Sequence, residues 1–203
     1  MEQFIKFGNT RLQISVPEHV DESGDRISFW WGVTTASLNL TRQVLEGDNL
    51  TGKKVLELGC GIGLSGIGAL KRGARVTFSD YVPEALEWAR RNVSMNSLDL
   101  TMTEFLNLDW EFLPTKIPLF DLIIGAEIVY DYFYHSSLIR LIEQTLAPGG
   151  RIILADRKRL VVERFVGRLI SKGFASKEKL CHLYFEGFPK QETTIFEITR
   201  KLK

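Results

Sequence analysis

Val55-Leu56-Glu57-Leu58-Gly59-Cys60-Gly61-Ile62-Gly63-Leu64-Ser65-Gly66 is the stretch on which the fold of this chain turns. The apolar run at residues 53–58 ends in glycines, which reads as a buried strand feeding a turn. Four glycines in eight residues let the backbone approach a ligand closely and present N–H groups at the start of a helix. A junction of that kind is where an α/β sheet usually binds a nucleotide. Downstream, residues 64–72 read as the helix, and Gly73 stops it as a C-cap glycine would.

Working outward, RVTFS at 75–79 is a second strand rich in β-formers, and Pro83 opens a helix over 83–96 at the position where proline is best tolerated. A weaker strand is expected at 100–105 and a strong one at 120–128, whose apolar residues on both faces imply helices on both sides of a parallel sheet. A helix over 135–146 then ends at Pro148-Gly149-Gly150, ahead of the strand RIILAD at 151–156 and a helix over 160–172. Two strand-like runs, 180–186 and 193–200, are joined too closely for a parallel crossover and predict an antiparallel hairpin. Upstream, residues 34–45 form an amphipathic helix and residues 1–29 a small strand-rich appendage. The expected fold class is α/β: a doubly wound, mostly parallel sheet with a C-terminal antiparallel pair, in a single domain over 1–203.

Composition narrows the class of function. With 203 residues, 44% of them hydrophobic, and 13 Phe, 4 Trp and 5 Tyr, the chain has ample material for one core. Lys and Arg total 26 against 25 acids, so the net charge of +1 provides no global field for nucleic acid or an anionic membrane. Locally, residues 151–179 carry nine basic side chains against three acids, a pattern that is usually a solvated helix face and otherwise a docking surface for an acidic protein or a weak nucleic-acid patch. Cys60 and Cys181 make no disulfide framework, and no Cys/His spacing suits zinc. Neither a signal peptide nor a membrane-spanning helix is expected, since the first residues lack a basic region followed by an apolar stretch and no window holds about 18 consecutive apolar residues. A reducing, cytoplasmic setting is therefore expected.

The glycine segment admits two cofactors. Gly61-x-Gly63-x-x-Gly66 is formally a dinucleotide fingerprint, and Asp80 follows Gly61 by 19 residues, near the spacing of a ribose-binding acid. Three features tilt away from NAD: Glu57 inside the strand, where a positively charged amino-acid moiety would want a carboxylate, the helix ahead of the first strand, and the terminal hairpin. A non-catalytic Rossmann-type binding module is the alternative from another class.

These residues resemble the seven-stranded S-adenosyl-L-methionine-dependent methyltransferases. FWWGVTTASLNLTRQVLE from residue 29, LELGCGIGLSGIGAL from 56, LDW at 108–110 and FDLIIGAEIVYD at 120–131 are similar in order and spacing to the methyltransferase-like protein-lysine methyltransferases and their bacterial relatives. The resemblance implies S-adenosyl-L-methionine as cofactor and a protein lysine as acceptor; a small-molecule N- or O-methyltransferase, acting for instance on an amine, is the alternative among enzymes. It implies that Gly59, Cys60 and Gly61 contact the methionine portion, with Glu57 just before them, while Gly63 lets the helix pack close. Asp80, beside Tyr81, would accept from the ribose hydroxyls; Asp109 and Trp110 would frame the adenine, Trp31 would help close the pocket, and Ala126 would lie beneath the cofactor. Glu127 and Tyr130 would face the acceptor, although relatives usually carry Asp-x-x-Tyr and this acid is one methylene longer. Each residue also has a structural reading: Asp80 as a helix cap before Pro83, Trp31, Trp110 and Tyr130 as packing, Glu127 as an exposed strand end and Cys60 as a small apolar filler.

Overall fold

A computed structural model describes residues 1–17, 32–157, 159–182 and 185–201. Its N-terminal half runs β1 (Glu2–Phe7), β2 (Thr10–Ser15), α1 (Thr35–Glu46), β3 (Lys54–Leu58), α2 (Leu64–Lys71), β4 (Arg75–Asp80) and α3 (Pro83–Met95). The remainder is β5 (Thr103–Asn107), β6 (Phe120–Ala126), α4 (His135–Thr145), β7 (Leu146–Asp156), α5 (Leu160–Ser171), β8 (Phe174–Cys181) and β9 (Thr193–Arg200). Seven strands form one sheet in the order β5-β4-β3-β6-β7-β9-β8, and β1 pairs with β2 in a separate two-stranded sheet. From β5 to β7 every pairing is parallel, and β9 enters antiparallel between β7 and β8.

Parallel strands covered on both faces should be apolar throughout, and side-chain alternation then assigns each residue to one layer. On β6, Leu122 and Ile124 pack into the layer shared with α1, α2, α3 and the N-terminal hairpin, whereas Ile123 points into the layer of α4 and α5. Each such fully buried side chain contributes about 1.5–3 kcal/mol. α1 starts with a capping box, Thr34 accepting from the Ser37 amide while the Ser37 hydroxyl accepts from the Thr34 amide. α3 starts with Pro83 at its first turn.

Three expected boundaries move. The helix expected over 135–146 ends at Thr145, because Leu146 already pairs with Phe120; the Pro148-Gly149-Gly150 segment is looped out before Arg151 resumes pairing with Leu122. The weak strand expected at 100–105 is a 3-10 turn, Leu100–Met102, followed by β5. The first arm of the hairpin is Phe174–Cys181, not 180–186. Its centre, Ser176-Lys177-Glu178-Lys179, lacks apolar alternation because β8 is an edge strand, where exposed charges discourage pairing with another chain.

The tightest approach in the sheet–helix packing is at Gly66 on α2. A Cβ there would lie 2.5 Å from Glu57 Oε2 and closer still to the Phe78 ring. Phe78 cannot retreat, since it is fully buried and stacks on Phe105 with ring centroids 5.2 Å apart. Gly66→Ala is therefore expected to cost about 1–3 kcal/mol by overpacking, despite alanine's better helix propensity. Urea unfolding checks this through a lower midpoint at unchanged slope; a variant as stable as the parent would mean that α2 can lift off the sheet.

Candidate active site

At the carboxyl end of β3 the chain turns sharply into α2, and Gly63 makes the turn. It is the N-cap residue, in the left-handed region at φ 82°, and a Cβ there would sit 2.9 Å from that of Ala89 on α3. Gly59 and Gly61 also have positive φ. The Cys60 amide donates to Ser79 O at 2.9 Å, and Gly61 N–H donates to Asp80 Oδ2 at 2.9 Å. The glycine turn is thus tied to the end of β4.

Glu57 lies under this turn, 4% exposed, its Oε2 accepting from Gly66 N–H at 3.0 Å. Burial pushes its carboxyl up to about 8, against the opposing pull of the backbone hydrogen bonds. Burial likewise raises Asp80, whose Oδ1 accepts from Val82 N–H at 3.0 Å. Asp80 therefore ties the loop ahead of α3 to the glycine turn, and it does not cap α3, whose N-cap is Val82 with no side-chain cap. The buried Cys60 thiol is pushed up by burial and by the neighbouring Glu57 and Asp80, which keeps it protonated.

β5 and β6 end at the same edge. Asp109 is half-buried and accepts from Glu111 N–H at 2.8 Å, fixing the bend after β5. The half-buried Trp110 ring lies between Gly59, where an added Cβ would be 3.7 Å from it, and Tyr134, with ring centroids 5.8 Å apart. Ala126 closes β6, packed against the layer that carries the glycine turn. Tyr81 is 59% exposed, further into solvent than its neighbour Asp80. Trp31 falls outside the described residues.

Directly after β6, Glu127 adopts a left-handed backbone at φ 53°, rare for a residue with a side chain and concentrated at functional sites. Its N–H donates to Ala155 O at 2.8 Å, and Arg157 Nε donates to its Oε1 at 2.8 Å. Beside it at the end of β7, the fully buried Asp156 pairs through Oδ1 with Arg159, while Oδ2 meets no hydrogen-bond partner of ordinary geometry among the described residues. Burial, reinforced by the Glu127 charge and opposed by Arg159, raises Asp156 to about 6. Tyr130 stands at the rim, 47% exposed. The edge thus gathers Glu57, the glycine turn, Asp80, Asp109, Trp110, Ala126, Glu127 and Tyr130. Sequence reading missed Asp156, Arg157 and Arg159, although RIILAD ends an apolar strand in an acid just as RVTFSD does. Among the described residues no cluster of His, Cys, Asp and Glu could hold a metal ion, and no helix is long and apolar enough to cross a membrane.

Residues 5–172 match the profile of a family described as lysine methyltransferase. The chain is 34% identical over 156 residues to EEF1A lysine methyltransferase 3 of Mus musculus, covering 74% of this chain and 66% of that protein. It is 37% identical over 115 residues to a Histidine protein methyltransferase 1 homolog of Dictyostelium discoideum, covering 55% of this chain and 37% of that protein. In both cases it spans less than two thirds of the relative's length. The ribosomal protein L11 methylase of Lactobacillus delbrueckii subsp. bulgaricus shares the fold, with a TM-score of 0.67 at 19% identity over 84% of this chain and 81% of that one.

The protonated Glu57 has a measurable consequence. Between pH 4.5 and about 8 the folded chain holds a proton that the unfolded chain releases. Its contribution is full below about pH 4.5 and falls as pH rises towards 8, by an amount on the order of a few kcal/mol. Glu57→Gln keeps an acceptor for the Gly66 amide and removes the titration, so the fall of Tm from pH 5 to pH 8 should be shallower than in the parent. Parallel Tm curves would contradict a protonated Glu57.

Proposed function

Because this chain belongs to the lysine methyltransferase family, we propose that it transfers a methyl group from S-adenosyl-L-methionine to a lysine amine of a protein. The observation that carries the reading is the convergence on one sheet edge of the glycine turn, Asp80, the Asp109–Trp110 pair and Glu127. The residues fit this cofactor. Glu57 is a buried carboxyl with no cation against it among the described residues, and a ligand ammonium would give its ionised form a partner. Asp80 retains acceptor capacity for hydroxyls beyond its two amide bonds. The half-buried Trp110 offers an aromatic face beside an acid that can accept from an exocyclic amine.

When bound, the cofactor supplies a methyl on a sulfonium, an already activated leaving group, so the protein's part is chiefly positioning. A lysine side chain arrives protonated, since its ordinary pKa is about 10.4. Glu127, fixed by its left-handed backbone and the Ala155 carbonyl, offers a carboxylate that holds a cation in this structure, the Arg157 guanidinium. The same carboxylate orients the acceptor ammonium, which loses its proton to water before it attacks. Tyr130 shapes the mouth through which the side chain enters. A cytoplasmic setting suits two buried free thiols.

Thermal unfolding tests the cofactor: S-adenosyl-L-methionine or S-adenosylhomocysteine at a hundred times its Kd should add about 2.7 kcal/mol, while NAD adds nothing. Asp80→Asn should weaken that shift. Glu127→Ala should keep it yet lower transfer of tritiated methyl to extract protein by roughly a hundredfold. Label in methyl-lysine after hydrolysis supports the reading. Label in methylhistidine, or only in low-mass products, replaces it.

A further inference from the structure

Two arginines on α5 have no acidic partner among the described residues. Arg164 and Arg168 are one helical turn apart and so share a face. The described contacts of Arg164 amount to the face of Tyr132, 5.4 Å from its guanidinium carbon, and Arg168 donates to Ser136 Oγ at 2.9 Å. With Tyr132, His135, Gly167 and Ser171 they line a groove of about 440 Å³ between the start of α4 and the middle of α5. Gly167 leaves the space between the two arginines open, since a Cβ there would meet nothing within 4 Å. Behind Tyr132, at 5.1 Å between ring centroids, the fully buried His135 forms the floor of the groove and packs edge-on against Phe165.

The rim points to the kind of ligand. Tyr132 is 48% and Phe133 65% exposed, and exposed aromatics beside arginines are the side chains that dominate protein–protein hot spots. The same short segment carries Tyr130 and follows Glu127, and the five residue steps from Glu127 to Tyr132 span at most about 18 Å. Resting on the function proposed above, we propose that this groove docks an acidic segment of the protein acceptor. A Glu or Asp carboxylate of that segment sits between Arg164 and Arg168, within about six residues of the lysine to be methylated. Bidentate guanidinium–carboxylate geometry supplies the selectivity, and the aromatic rim supplies the area.

The test uses the full chain and two fluorescently labelled 15-residue Gly/Ser peptides with a central lysine, one carrying four glutamates within six positions of it and the other glutamines there. Anisotropy at 50 mM salt should show at least tenfold tighter binding of the glutamate peptide. In Arg164→Gln/Arg168→Gln the preference should fall below twofold. Gly167→Glu, which plants a competing carboxylate in open space and removes no contact, should do the same, so the test does not depend on the double variant folding. Equal binding of the two peptides, or a preference that survives both variants, overturns the proposal. A 15-nucleotide single-stranded RNA that outcompetes the glutamate peptide on the parent but not on the variants overturns it too, by identifying a nucleic-acid groove. Tritium transfer to the peptide lysine is read separately: glutamate-dependent binding without transfer supports the groove while removing the methyl-transfer reading, and transfer without glutamate preference removes the groove alone.

Discussion

The amide of Gly66 donates to Glu57, a carboxyl shut away from water, and the packing of the sheet's centre depends on that contact. It brings the first turns of α2 down onto β3 and β4, leaving no room for a side chain at position 66. It also requires an immovable aromatic at Phe78, which Phe105 backs by stacking and over which Arg90 lies in turn, 4.2 Å from the Phe105 ring centroid. Burying a carboxyl is costly, and the cost is met by protonation and by backbone amides. Such a group is poised to ionise when a cation arrives, which ties the centre of the fold to the chemistry at its edge.

That edge exists because the five strands from β5 to β7 run the same way. Their carboxyl ends share one side, and each brings an acid there: Glu57 under the glycine turn, then Asp80, Asp109, Glu127 and Asp156. An α/β sheet binds ligands on this side because the strand order reverses there, opening a crevice between β3 and β6. β9 runs the other way, so it sets Thr194 beside Asp156 instead of a sixth acid. The left-handed turn at Glu127 aims that carboxylate away from the strand.

The N-terminal hairpin is held to this frame by two amide side chains of the α3 region. Asn92 accepts from Ser15 N–H and donates to both Ser15 O and Ile62 O, and Asn96 exchanges a matching pair of bonds with Gln13. Asn92 is fully buried, so its lost bonds would not be replaced by water. One side chain therefore couples the appendage to the carbonyl of the residue just before Gly63.

Most of the layered architecture is legible in the chain itself. Hydrophobic period and the placement of Pro83, Gly63 and Gly73 are local properties, and they suffice for β3-α2-β4-α3, for β6 and β7, and for the reversed β9. Boundaries failed where pairing overrode propensity: β8 reads as polar because only one of its edges is bonded, and β7 begins before its prolyl turn because Phe120 offers Leu146 a partner. The glycine turn, Asp80, Asp109, Trp110 and Glu127 are also legible, since their residue types and order along the chain carry the signal. The sequence by itself determined the fold class, the family and which residue types stand at these strand ends. Tertiary structure alone decided that Glu57 is buried beneath the glycine turn, that Arg157 and Arg159 pair with Glu127 and Asp156, and that Arg164 and Arg168 face an open groove beside Tyr132. The reason is physical: burial and charge pairing depend on which distant segments share a neighbourhood, and no local pattern of residue types encodes that.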